Sequence, residues 1–179
     1  MEYEVFVKAL NLPADFSPPE ELVHADLRAR ALSRADLDED VRGINASLEL
    51  IRRTRGGAWP TGPVTTDYNF ADLVWHEVEF RERYSFSYAV YDSTDRYLGC
   101  AYLYPMGRRT TLTEDRLEYD VDVSWWVTLE AYDQGYYERL YQALRHWVSE
   151  AYPFRRPYYS NAELPGESDG SGPEFVQRG

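Results

Sequence analysis

Apolar residues fall on alternate positions from Leu117 to Val127 (LEYDVDVSWWV) and on every third or fourth position from Tyr137 to Val148. The first pattern predicts a strand with unlike faces. The second predicts an amphipathic helix from about Gln134 to Ala151, stopped near Pro153. Leu117, Tyr119, Val121, Val123, Trp125 and Val127 share one face of the strand, and Glu118, Asp120, Asp122, Ser124 and Trp126 the other. Between strand and helix lies TLEAYDQG, whose one glycine is Gly135. A strand that turns through glycine into a helix can aim bare backbone N–H groups at an anion.

The same reading extends upstream. Ala25–Leu32 alternates weakly and predicts a first strand. Ser33, with Asp36 three positions on, has the form of a capping box opening a helix through Leu37, Val41, Ile44, Leu48 and Ile51. RGGAWPTGP (55–63) is a loop, and its Trp59 either packs on the core or lines a cleft. Asp67 is the expected cap of a helix over 68–84, with Phe70, Leu73, Val74 and Val78 as its apolar stripe and Trp75, His76 and Glu79 off it. Ser85–Tyr91 and Tyr97–Tyr104 flank the polar turn DSTDR and predict a hairpin. Residues 156–161 predict a last strand. The order is strand, two helices, a three-strand meander, helix, strand, which gives an α/β (α+β) sandwich. Prolines make residues 1–24 an irregular arm. Residues 25–162 form the domain, and 163–179, rich in Gly, Ser, Pro and Glu, are a mobile tail.

Charge narrows the partners. The formal net charge of −12 repels phosphate backbones and anionic membranes, so neither nucleic acid nor membrane is an expected partner, whereas a cationic amine is compatible. The single cysteine, Cys100, lies in an apolar run, predicts a buried thiol and fits a reducing cytoplasm. No stretch has the roughly 18 apolar residues of a membrane span. His24, His76 and His146 are far apart in sequence and lack metal-ligand spacing, so no metal site is expected.

The three carboxylates on one strand face, Glu118, Asp120 and Asp122, are either a solvated surface or the surroundings of a general base, raised in pKa by its like-charged neighbours. Asp133, at the start of the predicted helix, is a natural cap and would compete with an anion for its N–H groups.

The segment DVSWWVTLEAYDQGYYERL resembles the cofactor motif of GNAT-type N-acetyltransferases, in which a strand ending in a YWV-like tripeptide enters a turn of form R/Q-x-x-G-x-G/A. Trp125, Trp126 and Val127 match the strand end and Gly135 the central glycine. Tyr132 stands where Arg or Gln is usual, and Tyr137 where a small residue is usual. The resemblance covers roughly residues 25–162. It implies a mixed, mostly antiparallel sheet flanked by helices, here with a shortened C-terminal half. It also implies acetyl-CoA as cofactor, with its pyrophosphate on the turn and its pantetheine arm at the splay between the last two strands. The implied cradle is Val127, Tyr132, Asp133, Gln134, Gly135, Tyr136, Tyr137 and Asn161. Asp122 is the implied base, with a small amine or a peptide as acceptor. Tyr158 and Tyr159 are stand-ins for a general acid. The alternative is a non-catalytic module of the same fold that binds another ligand or a protein. A shortened sheet edge also invites a homodimer.

Overall fold

The computed structural model describes residues 7–166 and 173–176. Six strands form one sheet in chain order: β1 (Glu21–His24), β2 (Leu27–Ala31), β3 (Phe86–Tyr91), β4 (Tyr97–Tyr104), β5 (Val121–Val127) and β6 (Pro157–Tyr159). All neighbours are antiparallel except β5 and β6, which run parallel with Asp122 opposite Tyr158. The helices are α1 (Leu37–Asn45), α2 (Leu48–Arg55), α3 (Thr66–Arg81), α4 (Leu129–Asp133) and α5 (Tyr136–Ala151), and α5 carries the crossover that makes the last pair parallel. The sheet among the described residues ends at β6.

Every residue of β3, β4 and β5 is buried. One core joins Val121, Val123 and Trp125 to Leu140, Leu144 and Val148 of α5. The other, on the opposite face, joins Cys100, Tyr102 and Trp126 to Ile44, Ile51 and Leu73. Alternation along β5 therefore separates two interiors, and the polar face is not a solvated one. Two covered faces also suit the tyrosines, whose rings fill space while their hydroxyls find partners inside, as Tyr97 does on Asp40 (2.6 Å). Gly99 is required where β4 crosses β5: its φ is +152°, and a Cβ there would stand 2.0 Å from the Trp126 carbonyl oxygen.

Several elements depart from the sequence expectation. The chain is already a strand at Glu21, hydrogen-bonded to β2 through a tight turn in which Ala25 takes a φ of +52°. Ser33 and Asp36 do form a capping box, on a 3-10 turn leading into α1. The expected single helix breaks at Ala46–Ser47. There the Asn45 side chain clamps both Val64 N–H (2.8 Å) and Val64 C=O (3.0 Å), and Ser47 Oγ accepts Leu129 N–H (2.9 Å). Thr65 rather than Asp67 caps α3. That helix buries Asn69, Leu73, His76 and Glu79 and exposes Phe70 and Trp75, so its inner face is largely polar. β5 starts only at Val121 because Asp120 instead accepts the N–H groups of Arg155 and Arg156, while Glu118 pairs with Arg156. The helix expected from about Gln134 to Ala151 is α5, and the turn before it holds a further short helix, α4, joined to α5 through Gly135. Glu174 and Val176 of the tail pair with Thr111 and Arg109. Residues 1–6 of the expected arm and 167–172 and 177–179 of the expected tail lie outside the described residues.

Candidate functional site

The turn after β5 has the left-handed glycine that its sequence suggests. Gly135 has a φ of +83°, and nothing lies within 4 Å of where its Cβ would be. No side chain caps α5. Asp133 is the exposed last residue of α4 and does not cap α5, contrary to expectation, because α4 takes up the residues before the glycine and is itself capped by Thr128. Gln134 is also turned away, accepting from Arg96 (2.5 Å). Tyr136 donates to Asp26 (2.9 Å) and Val127 is buried opposite Gly99. These cradle residues therefore point in several directions.

Beyond Tyr159 the two parallel strands part, and the gap is filled from within. The Asn161 amide accepts the N–H of Trp125 (3.1 Å) and donates to its C=O (2.9 Å). The same Nδ2 donates to the hydroxyl of Tyr137 (2.8 Å). Tyr137 lies 5.1 Å from the Trp125 ring and 5.7 Å from Tyr132, its hydroxyl donates to Glu163 C=O, and burial pushes its phenol pKa up. Ala162 and Glu163 donate their N–H groups to the carbonyls of Arg55 (3.1 Å) and Thr54 (3.0 Å), pinning the segment down. The Asn161 amide thus takes up the Trp125 N–H and C=O, main-chain groups that an extended ligand could use at this splay, and the Tyr137 ring fills the space beside them. The residues present do not fit a pantetheine arm.

Asp122 is fully buried. Its carboxylate accepts Thr110 Oγ1 (2.9 Å) and the hydroxyl of Ser160. Burial raises its pKa, against the pull of Arg109. Glu118 and Asp120 are not its neighbours, so the expected like-charge cause is replaced by desolvation. Tyr158 and Tyr159 are partly buried on β6. His24 and His146, far apart in sequence, have ring centroids 4.5 Å apart, yet no group of three or more metal-ligating side chains exists among the described residues.

A cavity of about 450 Å³ opens on the other face of the sheet. Its walls are the glycine loop after α2, the polar face of α3, β4, and Phe175 and Val176. His76 bonds Ser87 Oγ through Nδ1 (3.0 Å) and faces Asp72 through Nε2 (3.4 Å). Arg55 lies over the rings of Tyr102 (4.2 Å) and Trp59 (5.5 Å). Trp59 thus both packs on the core and lines a cleft. Arg109 donates to Gly56 C=O (3.1 Å) and Ser160 C=O (3.2 Å), and its pKa is pulled down to about 9 by burial and by Arg55. A second hollow, between α1 and α4, is lined by the ion pairs of Arg42 with Glu39 and of Arg96 with Glu130, and by Asp133.

The cavity's polar lining escaped the sequence reading. Its signal lies in α3, where Tyr68, Asp72 and His76 recur at four-residue steps and share one helical face.

The mixed sheet with helices on both faces, and the β5–α5–β6 unit with its glycine turn, define the GNAT fold of N-acetyltransferases. No protein-family model matches the chain, and no curated protein is similar to it in sequence. Solved structures are similar in fold. RimL, a ribosomal L7/L12 alpha-N-protein acetyltransferase in complex with coenzyme A, superimposes with a TM-score of 0.54 at 13% identity, over 71% of this chain and 66% of that one. A ribosomal-protein-S5-alanine acetyltransferase from Vibrio fischeri gives 0.54 at 12%, over 73% and 68%. A putative ribosomal-protein-serine acetyltransferase from Vibrio cholerae gives 0.55 at 13%, over 75% and 70%. The chain spans about two thirds of the length of these structures. No helix among the described residues is long and apolar enough to cross a membrane.

Proposed function

We propose that this chain is a GNAT-fold binding module that has closed its acyl-CoA cleft with its own side chains and holds a small ligand on the opposite face of the sheet. The observation that carries this reading is the Asn161 amide bridging both main-chain groups of Trp125. A buried backbone pair that is already satisfied gains little from exchanging its partner for a ligand, and the ligand must also displace the Tyr137 ring. The functional unit in this reading is residues 25–162, working in the cytoplasm, with β1 completing its edge and the flanking segments as covers.

Isothermal titration tests it directly. Acetyl-CoA is expected to give no heat of binding with the wild-type protein, and Tyr137→Gly, which empties the ring's space, is expected to restore weak binding. Saturable heat with the wild type would overturn the reading.

The second reading is acetyl transfer from acetyl-CoA to a small amine or peptide acceptor, with Asp122 as base. In its favour is the uncapped start of α5 beside the open Gly135, a suitable place for an anion. It requires residues 160–163 to leave the splay and Asp122 to become accessible. Amine acetylation that Asp122→Asn abolishes would establish it.

A further inference from the structure

The cavity on the α3 side of the sheet is lined by a cation whose terminal nitrogens make no ion pair among the described residues. Arg55 is only 6% exposed. Its Nε donates to Ser124 Oγ (3.2 Å), and among the described residues its two terminal nitrogens have no hydrogen-bond partner and no carboxylate within ion-pair distance. They are not sealed off either, since Arg55 lines the cavity. A guanidinium removed from water and left with free donors is costly, so this side chain is poised for an acceptor.

The surrounding charges say what kind. Arg108 is already matched by Glu79 (2.8 Å) and Arg109 has spent its donors on carbonyls and on Ser160. The fully buried Asp122 is the carboxylate that the two cations Arg55 and Arg109 share without a direct ion pair to Arg55, and Asp72 of the cavity wall lies against His76 (3.4 Å). One free fork suits a carboxylate, which accepts two parallel N–H bonds from a guanidinium. A phosphate dianion would bring a second charge that no free donor meets, since Arg108 and Arg109 have already used theirs. Rings wall the space around the fork: Trp59 and Tyr102 carry the guanidinium, and Tyr104 lies beyond. At about 450 Å³ the cavity is within the usual range for small-molecule sites.

We infer that this cavity binds a small organic carboxylate whose anionic end sits on the Arg55 fork and whose apolar body lies among the aromatic walls. The inference rests on the binding-module reading for its purpose but on Arg55 for its chemistry.

Thermal unfolding of the full chain tests it with hippurate and benzoate, their neutral amides, and inorganic phosphate as probes. The carboxylates are expected to raise Tm by about 5–10 °C at a hundredfold excess over Kd, and the amides and phosphate are not. Arg55→Met is expected to fold, since it removes an unpaired buried charge, and to weaken carboxylate binding on the order of 10- to 100-fold. Arg55→Lys keeps the charge without the fork and should also bind more weakly. A wild type that ignores both carboxylates, an equal response to the amides, a phosphate response as large as theirs, or an Arg55→Met that keeps the response would each overturn the inference. An acetyl-CoA response shared by the wild type and Arg55→Met would instead defeat the closed-cleft reading and leave this one standing.

Discussion

Replacing Asn161 by alanine removes the amide that holds β5 closed. Trp125 N–H and C=O lose their partner together, in a place with no neighbouring strand to substitute. Each buried group left unsatisfied costs about 1–3 kcal/mol, so the pair costs about 2–6 kcal/mol. The Tyr137 hydroxyl still donates to the Glu163 carbonyl, so its loss adds little. In a protein of this size each kcal/mol moves Tm by about 2–4 °C, which places the fall at about 4–24 °C. Urea unfolding followed by tryptophan fluorescence gives the free energy. Asn161→Asp is the informative partner. A carboxylate still accepts Trp125 N–H but has nothing to donate to the Trp125 carbonyl, and its charge is buried. Protonation restores a donor, so its folded pKa is raised and its destabilisation should shrink as pH falls. A loss below about 0.5 kcal/mol for Asn161→Ala would refute the reasoning, because water would then be doing in solution what the amide does in the structure.

Gly99→Ala should destabilise by about 2–4 kcal/mol, read from the urea midpoint, because a Cβ at 2.0 Å from a backbone oxygen can be relieved only by moving β4 or β5. Asp92 accepts from Thr94 Oγ1 (2.7 Å) and N–H (2.8 Å) and from Arg96 N–H (3.0 Å) and Nε (3.0 Å). Burial alone would raise its pKa, but these donors outweigh it and hold the carboxyl at about 2. A lowered folded pKa means stability that is fully present above the unfolded value of 3.8 and lost as pH falls from there to about 2. Asp92→Asn should lack that acid-side decline and be less stable than wild type at neutral pH, as measured by unfolding midpoints across pH 2–6.

Periodicity and turn chemistry determined the central strands, the β3–β4 hairpin, the capping box at Ser33 and the β5–turn–α5 order, since those signals act between residues close in sequence. The resemblance built on that order points to the same fold as the solved structures. Tertiary structure decided the rest. Asn45 broke a helix by holding Val64, nineteen residues away. Two-sided burial turned the polar face of β5 into an interior, where Asp122 meets Thr110 and Ser160 rather than water. The meeting of Asn161 with Trp125, thirty-six residues apart, closed the splay that the motif had suggested was open. An unpaired Arg55 is likewise invisible in a string of residues, because whether a cation has a partner depends on which distant side chains the fold brings near. Local pattern sets which face of an element is apolar; only the assembled molecule sets what that face, or its opposite, will touch.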